Sequence, residues 1–205
     1  MERYIAIILI GYLLGCLQWS YILGMTLKKK DIRTLGLGNA GASNTVTAFG
    51  WKMGVLVGTL DILKAIASIY IIKLLFQTDN PLYMYLNGTS VILGHNYPFF
   101  MKFKGGKGTA STIGMLFGIN YKLGILGVLT ILLVTLFTDY IALGAISLVI
   151  FFVLATIYLG FDYACIFLSV FMATLSIYKH IPNIKRIQSN TETRLRHRLK
   201  KVTKK

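Results

Sequence analysis

TASTIGMLFGINYKLGILGVLTILLVTLF, residues 109–137, is the stretch on which the fold turns. It is almost wholly apolar and longer than the roughly 20 residues that one membrane-crossing helix needs. Asn120, Tyr121 and Lys122 interrupt it, so it reads either as one helix or as two short ones joined by a polar turn. The flanking charge separates the two readings. Lys102, Lys104 and Lys107 lie just before the stretch, and ten Lys or Arg follow from Lys179 onward. Basic residues next to apolar spans gather on the cytoplasmic side. Residues 140–159 and 161–178 supply two crossings between these clusters. Residues 109–137 must therefore cross twice, turning at 120–122, or not at all.

The same parity works upstream. A third basic cluster, Lys28, Lys29, Lys30, Arg33 and Lys52, is separated from the 102–107 cluster by the apolar stretches 53–76 and 81–100. Residues 4–26 form the first stretch. With the double crossing, the expectation is an all-α integral membrane protein of about seven transmembrane helices, N-terminus outside and C-terminus cytoplasmic. Residues 1–185 are expected to form one transmembrane domain and 186–205 a basic cytoplasmic tail, either lying on anionic lipid or solvated. The first half of the deciding stretch, 109–119, is short for a span and suits a tilted helix or one packed against protein. Pro81 opens a segment, Pro98 lies near the end of one, and Pro182 is expected to follow the last helix.

Composition agrees. Of the 205 residues, 55% are hydrophobic, and the mean hydropathy is +0.66, too apolar for an ordinary soluble domain. The net charge of +15 could suit nucleic acid, but 18 of the 22 basic residues fall in the three clusters beside apolar spans, which positive-inside placement explains. Cys16 and Cys165 lie within apolar segments and read as packed thiols, with neither a disulfide framework nor a metal pattern. "LLGC" at 13–16 imitates a lipoprotein cleavage box, yet Glu2-Arg3 carries no net positive charge and the apolar run continues to Met25. An uncleaved first membrane helix is expected.

Three segments on one side carry the chemistry. The first, RTLGLGNAGASNTVTAFG at 33–50, interleaves Gly36, Gly38 and Gly41 with Asn39, Ser43 and Asn44. Such turns form anion-binding nests of backbone N–H groups. Its loose G-x-G-x-x-G match opens no Rossmann unit. The second, GHNYPFFMKFKGGKG at 94–108, combines His95 and Asn96 with Lys104, Gly105, Gly106, Lys107 and Gly108. It is not a Walker A loop, because Gly108 stands where Ser or Thr would follow the lysine. Accessible amides, ammonium groups and a helix beginning near Thr109 still suit a phosphate. The third, KHIPNIKRIQSNTE at 179–192, offers His180, Asn183, Lys185, Arg186 and Glu192. Within the second span, Asp61 and Lys64 share one helix face. They either form a structural pair or line a polar cavity.

These segments resemble the three cytoplasmic motifs of the bacterial acyl-phosphate:glycerol-3-phosphate acyltransferases. "LDILKA" at 60–65 resembles the family too, and the likeness spans nearly the whole chain. The resemblance implies a multi-pass enzyme of the bacterial inner membrane with its active site on the cytoplasmic side. It would transfer a fatty acyl group from acyl phosphate to the 1-hydroxyl of glycerol 3-phosphate, giving lysophosphatidic acid and phosphate. His95, Lys104, His180 and Asn183 are the expected catalytic residues. Gly38, Asn39, Ala40, Gly41, Ser43 and Asn44 are expected to bind substrate, together with Gly105, Gly106, Lys107, Gly108 and Glu192. In particular, the amides of 38–42 with Asn39 and Asn44 are expected to hold the acyl-phosphate head. Lys104 and the 105–108 glycines are expected to bind glycerol 3-phosphate. Neither a cofactor nor a metal is expected; the partners are the two substrates and membrane lipid.

Three positions depart from the family pattern: Leu37 replaces Ser, Thr47 replaces Arg and Asn190 replaces Gly. Leu37 and Thr47 keep open a catalytically weak paralogue that binds phosphorylated lipid precursors, while the basic loops and the Asp61–Lys64 pair keep open an anion or phosphate transporter.

Overall fold

The computed structural model describes residues 1–196 and, within them, contains nine α-helices and no strand. The last part of the basic tail, including Lys200, lies outside the described residues. The chain divides into two compact units, Met1–Tyr121 and Lys122 onward.

The first unit holds α1 (Glu2–Gly15), α2 (Trp19–Lys28), α3 (Ala42–Phe49), α4 (Trp51–Phe76), α5 (Pro81–Asn96) and α6 (Thr109–Ile119). The first apolar stretch, expected as a single helix, is broken at residues 16–18. Gly11 and Gly15 on α1 explain how α5 packs so closely: a methyl group at Gly11 would lie 2.5 Å from the Asn87 carbonyl oxygen, and one at Gly15 would overlap that of Val91. Small residues four apart let helix backbones touch, as in membrane helix pairs. Gly94 makes the reciprocal approach to the Tyr12 carbonyl. The seam is also polar. Asn87 Nδ2 donates to the Ile7 carbonyl (3.0 Å), and Ser68 Oγ on α4 donates to Asn87 Oδ1 (2.7 Å). Gly114 and Gly118 bring α6 against α4 in the same manner.

Tyr121–Thr138 forms α7, which opens at the unit boundary. The second unit continues with α8 (Ile141–Tyr158) and α9 (Tyr163–Gln188). The polar interruption at Asn120 does divide the deciding stretch, with Asn120 in extended backbone between α6 and α7. Pro182, expected beyond the last helix, lies inside α9, which runs on through position 185 to Gln188. The third segment is therefore mostly helical. Hydropathy falls at 179 because the helix becomes polar there, and a proline removes only one backbone donor from it.

Among the described residues, five helical segments are long and apolar enough to cross a membrane: Glu2–Lys28, Trp51–Phe76, Tyr121–Thr138, Ile141–Tyr158 and Tyr163–Gln188. Leu74, Phe137 and Phe167 are among many large apolar side chains on outer faces. Helices apolar inside and out are solvated by lipid rather than water. This is an integral, multi-pass membrane protein.

Candidate active site

In the first unit, the second segment folds back over the end of α5. The amide of Gly105 donates to the Asn96 carbonyl (3.1 Å), and that of Gly106 to the His95 carbonyl (3.0 Å). The His95 carbonyl also accepts from Gln18 Nε2 at 2.6 Å. Gly108, at φ +84°, turns the chain into α6, a left-handed conformation that favours glycine. The helix N-terminus expected near Thr109 is present. Lys104 is exposed and Lys107 half-buried beside the paired glycines.

The first segment is fastened to this loop. Ala40 N donates to the Gly105 carbonyl (3.2 Å). Arg33 Nη1 donates to the Met101 carbonyl (2.8 Å), while its guanidinium grips the Asp31 carboxylate. Hydrogen bonding from Arg33 holds the Asp31 carboxyl below the usual carboxylate range. The clamp thus persists from neutral pH downward until the lowered value is passed. Ile32, Ala40 and Met101 form a small core beneath both loops, with Tyr21, Ala48 and Phe49 packed against it.

The geometry reassigns part of the expected nest. Asn44, fully buried on α3, donates through Nδ2 to the carbonyls of Ile32, Leu35 and Asn39, and its Oδ1 accepts from Leu37 N (2.7 Å). Its amide shapes the loop and is not turned toward a ligand. The Gly38 amide donates to the Leu35 carbonyl (3.1 Å), and that of Ala40 is committed to Gly105. Asn39, Gly41 and Ser43 remain half-buried along the same turn. The departure at Leu37 leaves intact the backbone N–H that Asn44 holds. Thr47 lines an open pocket of about 390 Å³ together with Lys28, Lys30, Leu35, Gly36 and Phe49. Two lysines thus line the same pocket as Thr47, the position where the resemblance led to the expectation of arginine.

Behind the loop lies a buried ionic cluster. Lys64 Nζ lies 2.8 Å from Asp61 Oδ1 and 3.0 Å from His95 Nδ1, and donates to the carbonyls of Gly15 (3.1 Å) and Leu17 (2.7 Å). His95 Nδ1 is 3.5 Å from Asp61 Oδ1. Of the two readings of Asp61 and Lys64, the pair is present, and it extends to a candidate catalytic residue. Neither Gln18 nor the Lys64–His95 contact was among the sequence expectations. A glutamine inside an apolar run was the available signal.

The second unit carries the third motif. His180 and Asn183 lie three residues apart on α9, both buried. His180 Nδ1 donates to the Ser176 carbonyl (2.8 Å). Glu192 folds back onto the helix, accepting from Asn183 Nδ2 (3.1 Å) and Arg186 Nε (2.6 Å). Its carboxylate orients these two donors. Asn190 has φ +56°, and asparagine is among the few non-glycine residues that tolerate that region. The departure from glycine there is accommodated by the backbone.

Helices apolar on every side and, within the first unit, a glycine–lysine loop over a buried imidazole fit a membrane enzyme that handles an anionic substrate. A family model described as Glycerol-3-phosphate acyltransferase matches residues 5–190. A relative from Oceanobacillus iheyensis, Glycerol-3-phosphate acyltransferase 1, is 43% identical over 94% of this chain and 95% of its own length. Glycerol-3-phosphate acyltransferase 2 of Thermotoga maritima is 35% identical over 91% of this chain and 94% of its own. Among solved structures, the glycerol 3-phosphate form of PlsY (YgiH), an integral membrane glycerol 3-phosphate acyltransferase, superposes with a TM-score of 0.85 at 32% identity, covering 93% of this chain and 94% of that one. Its lysophosphatidic acid form gives 0.83 at 30% identity, covering 96% and 98%. The chain belongs to the glycerol-3-phosphate acyltransferase family and is a membrane-embedded acyltransferase.

Proposed function

We propose that the acyl donor is an acyl phosphate, and that the acyl group goes to the 1-hydroxyl of glycerol 3-phosphate, with lysophosphatidic acid and phosphate as products. One observation carries this reading: the first two motifs are fastened into a single body by Ala40 and Gly105, presenting Lys104 and Lys107 over the buried His95. These groups position substrates and neutralise charge, which suffices when the donor is already activated by a phosphate leaving group. Lys104, Lys107 and the 105–108 glycines bind the acceptor phosphate. Asn39, Gly41 and Ser43 face the donor, with Lys28 and Lys30 supplying the charge missing at Thr47. Asn44 shapes that loop. His180 and Asn183 are substrate-binding groups of the second unit, and Glu192 orients Asn183. The test is an assay of the purified protein in lipid, scoring phosphate and lysophosphatidic acid. Acyl phosphate with glycerol 3-phosphate should support turnover. Efficient turnover with acyl-CoA alone would overturn the donor assignment.

Lys104→Ala removes a charge-assisted hydrogen bond of roughly 1.5–3 kcal/mol, so apparent affinity for glycerol 3-phosphate should fall about 10- to 150-fold. The loss should appear as a raised KM with kcat nearly unchanged, because the ammonium grips a phosphate that does not react. A fall in kcat at constant KM would move Lys104 to the donor phosphate.

The proposed topology has seven crossings of a bacterial inner membrane, N-terminus outside, with the three motifs facing the cytoplasm. The division at Asn120 supports it, as does the placement of the shorter helices α5 and α6 against α1 and α4. Cysteines introduced at Lys30 and Lys104 should react with an impermeant thiol reagent only after cells are opened. Labelling of either in intact cells would reverse the orientation.

A further inference from the structure

We infer that Lys64 is a positioning residue that holds His95 as the neutral Nε2–H tautomer, so that His95 acts as a hydrogen-bond donor and not as a proton acceptor. The inference starts from the break between α1 and α2. A helix that ends leaves carbonyls without intrahelical partners, and its C-terminal end is electronegative. Lys64 reaches from α4 to this end and donates to the Gly15 and Leu17 carbonyls. Its third oxygen partner is the Asp61 carboxylate, at 2.8 Å. The carboxylate contact is an ion pair that accepts no hydrogen bond from Nζ and keeps it an ammonium, so two of its three hydrogens go to the carbonyls and the third remains for His95.

His95 Nδ1 lies 3.0 Å from this ammonium. A proton on Nδ1 would oppose the N–H bonds of Nζ, so Nδ1 must accept and the ring proton must sit on Nε2. The competing geometry, an Nδ1–H donating to Asp61 Oδ1, is longer at 3.5 Å and would leave that proton against the ammonium. Nε2 is directed toward the paired glycines: a side-chain carbon at Gly106 would overlap it. The loop proposed to hold phosphate therefore meets an N–H and not a lone pair. Gln18, by donating to the His95 carbonyl, fixes the backbone that carries the ring. His180 has the opposite polarity. Its Nδ1 faces the Ser176 carbonyl, which can only accept, so that ring is protonated on Nδ1 whether neutral or charged.

The decisive experiment reads the ring nitrogens directly. The protein is labelled with [15N]histidine and studied in lipid by NMR without substrate at neutral pH. Resonances are assigned by their loss in His95→Gln and His180→Gln. His95 is expected to show a protonated Nε2 and a bare Nδ1, and His180 a protonated Nδ1. A protonated Nδ1 on His95 overturns the inference. In Lys64→Met, or in Asp61→Asn/Lys64→Met should the single variant fail to fold, His95 is expected to lose its single tautomer. An unchanged Nε2–H signal would show that Lys64 does not set it.

A kinetic arm rests on the acyl-transfer reading. The amide nitrogen of glutamine replaces an Nε2–H donor but cannot replace a base. His95→Gln should therefore keep most of the roughly 10- to 150-fold that His95→Ala loses. Equal inactivity of the two overturns the donor role. If wild-type protein shows the expected tautomers but transfers no acyl group to glycerol 3-phosphate, only the functional reading fails.

Discussion

Gly106→Val is expected to lower kcat/KM by about 10²-fold or more, with membrane insertion unchanged. The Gly106 amide is hydrogen-bonded to the His95 carbonyl, so its backbone lies directly against that residue. A Cβ at position 106 would overlap His95 Nε2 and approach the Ala40 carbonyl oxygen to 2.8 Å. His95 is held from behind by Lys64, and Ala40 is tied to Gly105, so neither can yield without moving a candidate catalytic group. Displacements of about 1 Å cost roughly 10²-fold in well-positioned reactions. Alanine supplies the same first carbon and should cost most of that loss. Activity of purified Gly106→Ala within a few-fold of wild type would mean that the loop has room the geometry denies.

The second large effect is on stability. Lys64→Ala leaves the Asp61 carboxylate buried without its cation and uncaps the Gly15 and Leu17 carbonyls. Removing one partner of a buried pair costs about 3–5 kcal/mol, which for a chain of this size corresponds to a Tm lower by about 6–20 °C. Cys16 and Cys165 are both buried, so a thiol-reactive dye in detergent reports the transition directly. Asp61→Asn/Lys64→Met removes both charges together and should lose less than Lys64→Ala alone. If the double variant proves the less stable of the two, the cation matters for packing and not for charge.

Much of the fold could be read from the chain because lipid imposes a coarse rule on it. Three polar residues at 120–122 were enough to mark the division of an apolar run, and the structure divides there. The break at 16–18 was hidden because the sequence on both sides is as apolar as any span, and the break is stabilised from elsewhere: by Lys64, 47 residues away from Leu17, and by the His95 carbonyl, 77 away from Gln18. Pro182 misled in the other direction. Hydropathy ends four residues before it, yet α9 continues because a polar helix end costs nothing where it leaves the apolar layer. In the first motif, residue type shows which side chains carry polar groups but not where they point. An asparagine in a glycine-rich loop has the chemistry to hold phosphate. That Asn44 is turned onto backbone groups five to twelve residues away is decided by the loop's own closure. The third motif's polar residues stand out in the sequence, while the contacts of Glu192 with Asn183 and Arg186 appear only once the chain after Gln188 folds back.

The break in the first apolar segment also constrains how this sequence can drift. Positions 16–18 look like lipid-facing filler that any apolar residues could occupy. In fact, a replacement that let α1 and α2 fuse into one continuous helix would draw the Gly15 and Leu17 carbonyls into intrahelical bonds and strip the Lys64 ammonium of two of its ligands. The lysine would then be a liability, and with it Asp61. Conversely, an apolar residue at 64 makes the broken helix costly. Substitutions at the two places are tolerable together and harmful singly, so a variant library that samples the first helix while holding positions 61 and 64 fixed will discard chains that would fold once Asp61→Asn and Lys64→Met accompany the change.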